Sequence, residues 1–202
     1  MKKNLVIIPG AFPVKSRNKA LQRLIYKFYH KLNVNPRYED FQYKFMVRKF
    51  YKHYKRVYFL DYNRNLYHLF SKKNEGLVKI FLNNVKNYDV IAFSFGGHLI
   101  QKVLGKLKNK PNKIVLIGSL NLDKNVKFPK GIKVVNIYSS DDKFIKKSIR
   151  LFSKNKSSQY LENAYNLNLP GLGHVQLIKM KSKIKSSKNK TIFSIIRDIL
   201  QN

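Results

Sequence analysis

The 202-residue chain contains no cysteine and only 10 acidic residues. Without cysteine, disulfide bonds and thiolate metal sites are excluded, and the reducing cytoplasm is the compartment we expect. No apolar stretch approaches the length of a helix that crosses a bilayer. The first residues imitate a signal peptide, but their apolar run stops at Pro9, which is too early for such a peptide and typical of a short buried strand.

Positive charge is what the chain has in excess. Its 42 lysine and arginine residues, set against 10 acidic residues, give a formal net charge of +32. A field of this size attracts anions, so nucleic acid, anionic lipid and acidic metabolites are all candidate partners. A composition rich in lysine and asparagine, without any binding role, explains the charge equally well.

Short apolar runs alternate along the chain with segments of helical periodicity. The length and a 44% share of apolar residues suit a single domain with a substantial core. The predicted strands are 5–8, 57–60, 90–93, 113–118, 133–138 and a sixth within 163–169. The predicted helices are 16–32, 38–54, 75–85, 99–104, 144–153 and 190–200. This alternation predicts an α/β fold in which about six mostly parallel strands are covered by helices on both faces.

Residues 88–99 are the most informative about function. Val90–Phe93 form an apolar run typical of a strand buried on both faces, and helical spacing resumes at Leu99. Between them lies Ala92-Phe93-Ser94-Phe95-Gly96-Gly97, a variant of the nucleophile elbow in which small residues allow a tight strand-to-helix turn. Such a turn exposes and aims the serine hydroxyl, as a nucleophile requires. The pattern alone also fits a glycine-assisted turn without catalysis.

Two backbone segments are candidates for an oxyanion hole. The helix after Ser94 points its N–H groups, beginning with that of Phe95, at the place where an acyl oxyanion would form. The loop that begins with Pro9 and Gly10 follows the first strand and offers a second N–H group, from Ala11 or Phe12. The other interpretation of this loop is a simple strand end.

Carboxylates and a histidine follow two later strands. Asp141 and Asp142 come directly after the fifth predicted strand, and His174 lies in a predicted loop after the sixth. Because functional loops of α/β sheets gather at the carboxyl ends of the strands, we expect these side chains to converge on Ser94. The order serine, aspartate, histidine is also that of the elbow architecture. The sequence therefore predicts a catalytic triad with Asp141 or Asp142 as its acid.

Three motifs together resemble the α/β-hydrolase superfamily, and most closely its small lidless bacterial lipases and esterases with an Ala-x-Ser-x-Gly elbow. The motifs are residues 92–97, 137–142 and 171–174. Residues 139–145 are also similar to the single-domain serine hydrolases of retinoblastoma-binding type. The resemblance implies one α/β-hydrolase domain over residues 1–202, without a large cap domain.

The resemblance also implies roles for the candidate residues. Ser94 would be the nucleophile, His174 the base and Asp142 the acid of an enzyme that cleaves carboxylic esters through an acyl-serine, with no metal or cofactor. The chain departs from the usual pattern by having Pro9 before Gly10, where relatives have histidine. Its two predicted helices within 16–54, where minimal lipases have one, place an extra helix near the site.

Two basic segments are expected to border the site. One belongs to the 38–54 helix, and the other is the 179–190 loop, which begins five residues after His174. Their charge favours anionic substrates or an anionic lipid surface. Nucleic acid is less well supported, because no recognised binding motif accompanies the charge. The basic residues of the first segment are Lys44, Arg48, Lys49, Lys52 and Lys55.

A second hypothesis comes from a different class of function. In it, the fold serves as a binding module for anionic partners and does not catalyse, since fold alone does not imply function. The altered loop at Pro9 and the large charge motivate this alternative. Reaction of Ser94 with an active-site probe distinguishes the two hypotheses.

Overall fold

A computed structural model describes the chain at residues 2–10, 45–60, 62, 70–122, 126–152, 159–184 and 190–202. The predicted helix 16–32 lies outside the described residues, as do the candidate oxyanion residues Ala11 and Phe12. Lys44 and residues 185–189 of the basic loop are also outside them.

In the described part of the chain, six parallel strands form one sheet, which confirms the predicted fold class. Their order is β2-β1-β3-β4-β5-β6. The strands are β1 (Asn4–Ile8), β2 (Arg56–Phe59), β3 (Tyr88–Phe93), β4 (Lys113–Ile117), β5 (Lys133–Tyr138) and β6 (Tyr165–Asn168). The strand order reverses between β1 and β3, and ligands of open α/β sheets bind outside the carboxyl ends of the strands at such a switch point.

Helices follow the strands in the predicted alternation. They are α1 (Lys72–Asn84), α2 (Phe95–Leu104), α3 (Lys143–Phe152), α4 (His174–Ile178) and α5 (Ile192–Gln201). In addition, residues 45–50 are helical and the next residues form a turn, so the predicted 38–54 helix ends earlier than expected. The loop predicted around His174 is wrong at that residue, because His174 is the first residue of the short helix α4.

The sheet separates two apolar cores. On one face, Val90 and Ala92 of β3 pack with α1, α2 and α3. On the other face, Ile91 and Phe93 pack with the segment that contains Met46, with α4 and with α5. All six side chains of β3 are buried, and full burial of one aliphatic or aromatic side chain contributes about 1.5–3 kcal/mol. The strand that leads into Ser94 is therefore buried along its whole length.

None of the helices in the described ranges is both long and apolar enough to cross a membrane.

Candidate active site

Ser94 occupies a strained backbone position between β3 and α2. Its φ of 47° and ψ of −118° lie in a region that residues with a Cβ atom rarely adopt. Two hydrogen bonds hold it there: its N–H donates to the Ile117 carbonyl, and its own carbonyl accepts from the Leu120 N–H, both at 3.0 Å. Although Ser94 stands at the N-cap of α2, its side chain makes no capping hydrogen bond. The Ser94 hydroxyl therefore does not serve as a cap of α2.

Two glycines allow α2 to start so close to its neighbours. A Cβ atom at Gly96 would lie 2.6 Å from the Ile8 carbonyl oxygen and would also collide with the carbonyl oxygen of Pro9. A Cβ atom at Gly97 would lie 2.6 Å from the Cβ atom of Ser119. The small residues of the elbow motif are thus required by close approach to the ends of β1 and β4.

The structure brings His174 to Asp142 and not to Asp141. Oδ2 of Asp142 lies 2.8 Å from Nδ1 of His174, and the Asp142 side chain is completely buried. Its other oxygen, Oδ1, accepts from the Ile145 N–H at 2.9 Å in the first turn of α3. The Asp141 carboxylate instead accepts from the Gly171 N–H at 2.7 Å. Each aspartate therefore has a separate partner, and only one of them contacts the histidine.

The imidazole of His174 is held on several sides. The Phe144 ring stacks on it, with ring centroids 4.6 Å apart and an interplanar angle of 29°. On another side lies Gly118, whose φ is +51° and where a Cβ atom would be 3.3 Å from Nδ1 of the histidine. Because a carboxylate only accepts hydrogen bonds, Asp142 holds the tautomer with the proton on Nδ1 and leaves Nε2 as an acceptor.

Ser94 and the Asp142–His174 pair lie around the same end of β4. Ser94 is bonded to Ile117, the last residue of β4, and His174 packs on Gly118, the next residue. The serine follows β3, the aspartate follows β5 and the histidine follows β6. The three predicted triad residues thus share the carboxyl edge of the sheet.

Phe95 is the predicted oxyanion donor that the structure describes. It is the first residue of α2, where a backbone N–H has no acceptor within the helix. Its ring is buried and makes edge contacts with Phe70, at a centroid distance of 5.1 Å, and tilted contacts with His98, at 5.4 Å. The second predicted donor, Ala11 or Phe12, lies outside the described residues, although Pro9 and Gly10 lead directly to it.

A second histidine, His98 on α2, has a pKa well below its ordinary value. Burial, together with the nearby positive charge of Lys102, lowers the pKa of His98 to about 4. His98 is therefore neutral around pH 7 and belongs to the aromatic cluster with Phe95 and Phe70. Among the described residues, no group of three or more histidine and acidic side chains is arranged to hold a metal ion.

The two predicted basic segments meet each other. The Nζ atom of Lys49, from the helical segment, lies 5.7 Å from the centroid of the Phe45 ring. The Nζ atom of Lys181, from the loop after α4, lies 5.5 Å from the same centroid. The Phe45 ring also contacts Phe193 at the start of α5. We call Lys49 and Lys181 the basic pair.

The sequence did not point to three residues that shape this site. Gly118 supports the His174 ring, and its position directly after a buried strand was the available indication. Phe144 stacks on the same ring, and it was visible only as an apolar residue after the aspartates. Tyr62 donates a hydrogen bond from its hydroxyl to the Pro9 carbonyl at 2.8 Å, and no local pattern indicates that contact.

No protein-family model and no curated protein matches the sequence. Solved structures resemble it over nearly its whole length. The ydeN gene product from B. subtilis has a TM-score of 0.59 at 16% identity, covering 98% of this chain and 97% of that one. Tomato methylketone synthase I, complexed with 2-tridecanone, has a TM-score of 0.56 at 13% identity. The match covers 100% of this chain and 98% of that one. A predicted CIB-like hydrolase from Thermoplasma acidophilum has a TM-score of 0.54 at 13% identity. The match covers 99% of this chain and 86% of that one.

At these identities the similarity is one of fold. The chain has the α/β-hydrolase fold, as its motifs predicted.

Proposed function

We propose that the protein is a serine hydrolase that cleaves carboxylic esters through an acyl-serine intermediate. The observation that carries the proposal is the 2.8 Å contact between Asp142 and His174 at the sheet edge that also holds the strained Ser94. A strained backbone at a strand-to-helix turn is expected where the geometry serves catalysis. The fold shared with the YdeN protein and the CIB-like hydrolase is consistent with such chemistry.

Acylation is the first half of the proposed reaction. The Oγ atom of Ser94 attacks the ester carbonyl carbon while Nε2 of His174 takes the hydroxyl proton. The negative charge that develops on the carbonyl oxygen is stabilised by the Phe95 N–H and by a second N–H from Ala11 or Phe12. The intermediate collapses, the alcohol leaves with the proton from His174, and the acyl group stays on the serine.

Deacylation repeats the same proton transfers with water. His174 takes a proton from the water that attacks the acyl carbon, and then returns it to Oγ of Ser94 as the carboxylic acid leaves. Asp142 remains a carboxylate throughout; it orients the imidazole and stabilises its protonated form. No metal or cofactor enters these steps.

The decisive experiment compares two serines that occupy helix N-caps. Ser94→Ala should abolish turnover of p-nitrophenyl butyrate and labelling by a fluorophosphonate probe, with unchanged circular dichroism. Ser71→Ala is the matched control, because the Ser71 side chain caps α1 by accepting from the Asn74 N–H at 3.3 Å. That variant should lose about 1 kcal/mol of stability and keep its activity. A Ser94→Ala variant with undiminished turnover would contradict the proposal.

The meeting of the two basic segments over Phe45 supports an additional proposal about partners. We propose that the basic pair helps this face of the enzyme to bind an anionic lipid surface, which would concentrate the protein near ester substrates. Lysine side chains near an anionic membrane contribute about 1 kcal/mol each. If the wild-type chain binds such surfaces but Ser94 never reacts with the probe, the non-catalytic binding module is the correct interpretation.

A further inference from the structure

Phe144 covers one face of the His174 imidazole. The two ring centroids are 4.6 Å apart and the ring planes are inclined by 29°, so the histidine meets the face of the phenylalanine ring and not its edge. The face of an aromatic ring carries negative charge density, and its edge carries positive charge density. A positive charge within about 6 Å of the ring centroid, on the side of the face, is therefore attracted.

The start of α3 supplies two groups that contact this imidazole. Asp142 directly precedes the helix and holds its first turn, because its Oδ1 accepts from the Ile145 N–H at 2.9 Å and its carbonyl accepts from the Lys146 N–H at 3.1 Å. Phe144 is the second residue of the helix. The carboxylate thus contacts the histidine at Nδ1, and the phenylalanine ring, two residues later, covers the histidine's face.

The surroundings of His174 strengthen this contact when the imidazole becomes charged. The His174 side chain is only 13% exposed, and the attraction between a cation and an aromatic face grows as water is removed. Helix α3 itself has four basic residues and no acidic one, so it offers an imidazolium no negative charge. The basic residues are Lys143, Lys146, Lys147 and Arg150. The face of the Phe144 ring is therefore the attractive group that this helix presents to the histidine.

We propose that Phe144 is a positioning residue that acts through His174: its ring holds the imidazole in place and stabilises the positive charge that the imidazole carries during proton transfer. The inference rests on the proposed ester hydrolysis, in which His174 takes a proton first from Ser94 and later from water. The mechanism begins with a neutral imidazole, so the attraction is stronger in the transition states than before the reaction. Only an interaction with such a difference raises kcat.

Three replacements of Phe144 separate the shape of the ring from its charge distribution. Phe144→Tyr keeps the ring and the negative charge density of its face. Phe144→pentafluorophenylalanine, introduced by suppression of an amber codon, keeps a ring but withdraws electron density from its face. Phe144→Leu removes the ring and keeps an apolar side chain. A role in packing alone predicts that the fluorinated variant has the kcat of the wild type.

The matched control is Phe81 of α1. Like Phe144, it is half-buried and packs against the apolar core that contains Val90 and Ala92. Its ring contacts that of Tyr58 in β2, at a centroid distance of 5.7 Å. Phe81→Leu and Phe81→pentafluorophenylalanine therefore make the same chemical changes against the same core, at a ring whose aromatic partner is a tyrosine and not His174.

The test measures kcat and KM for p-nitrophenyl butyrate and the rate constant of the fluorophosphonate reaction at Ser94. Each kcat is referred to the number of sites that the fluorophosphonate titrates, so that misfolded protein does not count. We expect kcat to fall about fivefold in Phe144→pentafluorophenylalanine and about tenfold in Phe144→Leu, and to stay within about twofold in Phe144→Tyr. KM should be nearly unchanged, since the interaction is made in the transition state.

The fluorophosphonate reaction should slow in parallel with kcat, because Ser94 gives its proton to His174 in that reaction too. Both Phe81 variants should keep the wild-type constants. A selective fall of both rates in the fluorinated Phe144 variant, at a thermal stability similar to that of the fluorinated Phe81 variant, supports the inference.

The other outcomes separate this inference from the function on which it rests. With an active wild type, an unchanged kcat in Phe144→pentafluorophenylalanine, or an equal fall in the matching Phe81 variant, would overturn the role of Phe144 and leave the hydrolase proposal standing. A wild type that neither hydrolyses the ester nor reacts at Ser94 would overturn both.

Discussion

Asp142 contacts His174 with one carboxylate oxygen while the other accepts a backbone N–H of α3. Oδ2 lies 2.8 Å from Nδ1 of the histidine, and Oδ1 lies 2.9 Å from the Ile145 nitrogen. The helix start therefore fixes the orientation of the carboxylate, and the carboxylate fixes the imidazole. The neighbouring Asp141 is engaged elsewhere, at the Gly171 N–H.

This division of contacts predicts opposite results for the two aspartates. In Asp142→Asn, the amide oxygen is expected to keep the bond to the Ile145 N–H, which turns the NH₂ group toward Nδ1 of His174 and favours the wrong tautomer. We expect kcat to fall by about 10⁴-fold. Asp141→Asn keeps an acceptor for the Gly171 N–H and should change kcat little. Steady-state kinetics on one ester substrate measures both, and the reverse ranking would make Asp141 the acid.

Replacing Ser94 by glycine should stabilise the protein while it removes activity. A glycine relieves the strain of the positive φ at this position, although it also adds entropy to the unfolded chain. We expect a net gain of about 1 kcal/mol in the free energy of unfolding. Urea denaturation of Ser94→Gly and of Ser94→Ala, which retains the strain, measures the difference. Equal stability of the two variants would mean that the backbone at Ser94 is not strained.

His98 should make the protein sensitive to acid. Its pKa is about 4 in the folded state, below the ordinary histidine pKa of 6.5 that the unfolded chain retains, so the unfolded chain binds the proton first as the pH falls. Stability is then lost between about pH 6.5 and pH 4, by an amount of up to about 3 kcal/mol. The His98→Leu substitution should remove this loss of stability. The His53→Leu substitution, at an exposed histidine, should leave the loss in place. Urea denaturation across this pH range provides the measurement.

The basic pair predicts salt-sensitive binding to anionic vesicles. The double variant Lys49→Gln/Lys181→Gln should weaken binding to phosphatidylserine-containing liposomes by about 30-fold at low salt, with unchanged turnover of a neutral soluble ester. The control is Lys73→Gln/Lys79→Gln, which removes the same charge from α1 on the other face of the sheet. Equal weakening in both double variants would assign the binding to net charge alone, and salt-independent binding would contradict the proposal.

Local sequence patterns were enough to predict the sheet and the elbow. A buried parallel strand such as β3 is a short apolar run in the sequence. Its turn into α2 requires small residues at Gly96 and Gly97. Both features therefore depend on residues that are adjacent in the sequence. The approximate places of Asp142 and His174 also followed, because each comes directly after a strand and parallel strands share one carboxyl edge. Helix α1 begins at Lys72 and not at the predicted residue 75. Ser71 caps the helix there, and the spacing of apolar residues does not indicate such a cap.

Tertiary structure decided which atoms meet. Asp141 and Asp142 are adjacent and chemically identical, so only the start of α3 and the turn at Gly171 determine which carboxylate faces His174. The bond from Tyr62 to Pro9 joins residues 53 positions apart, and no periodicity records such a contact. The lowered pKa of His98 likewise depends on the burial that packing imposes. Sequence determined the elements and their order because these depend on neighbouring residues, whereas the contacts between distant side chains exist only once the sheet and its helices have packed.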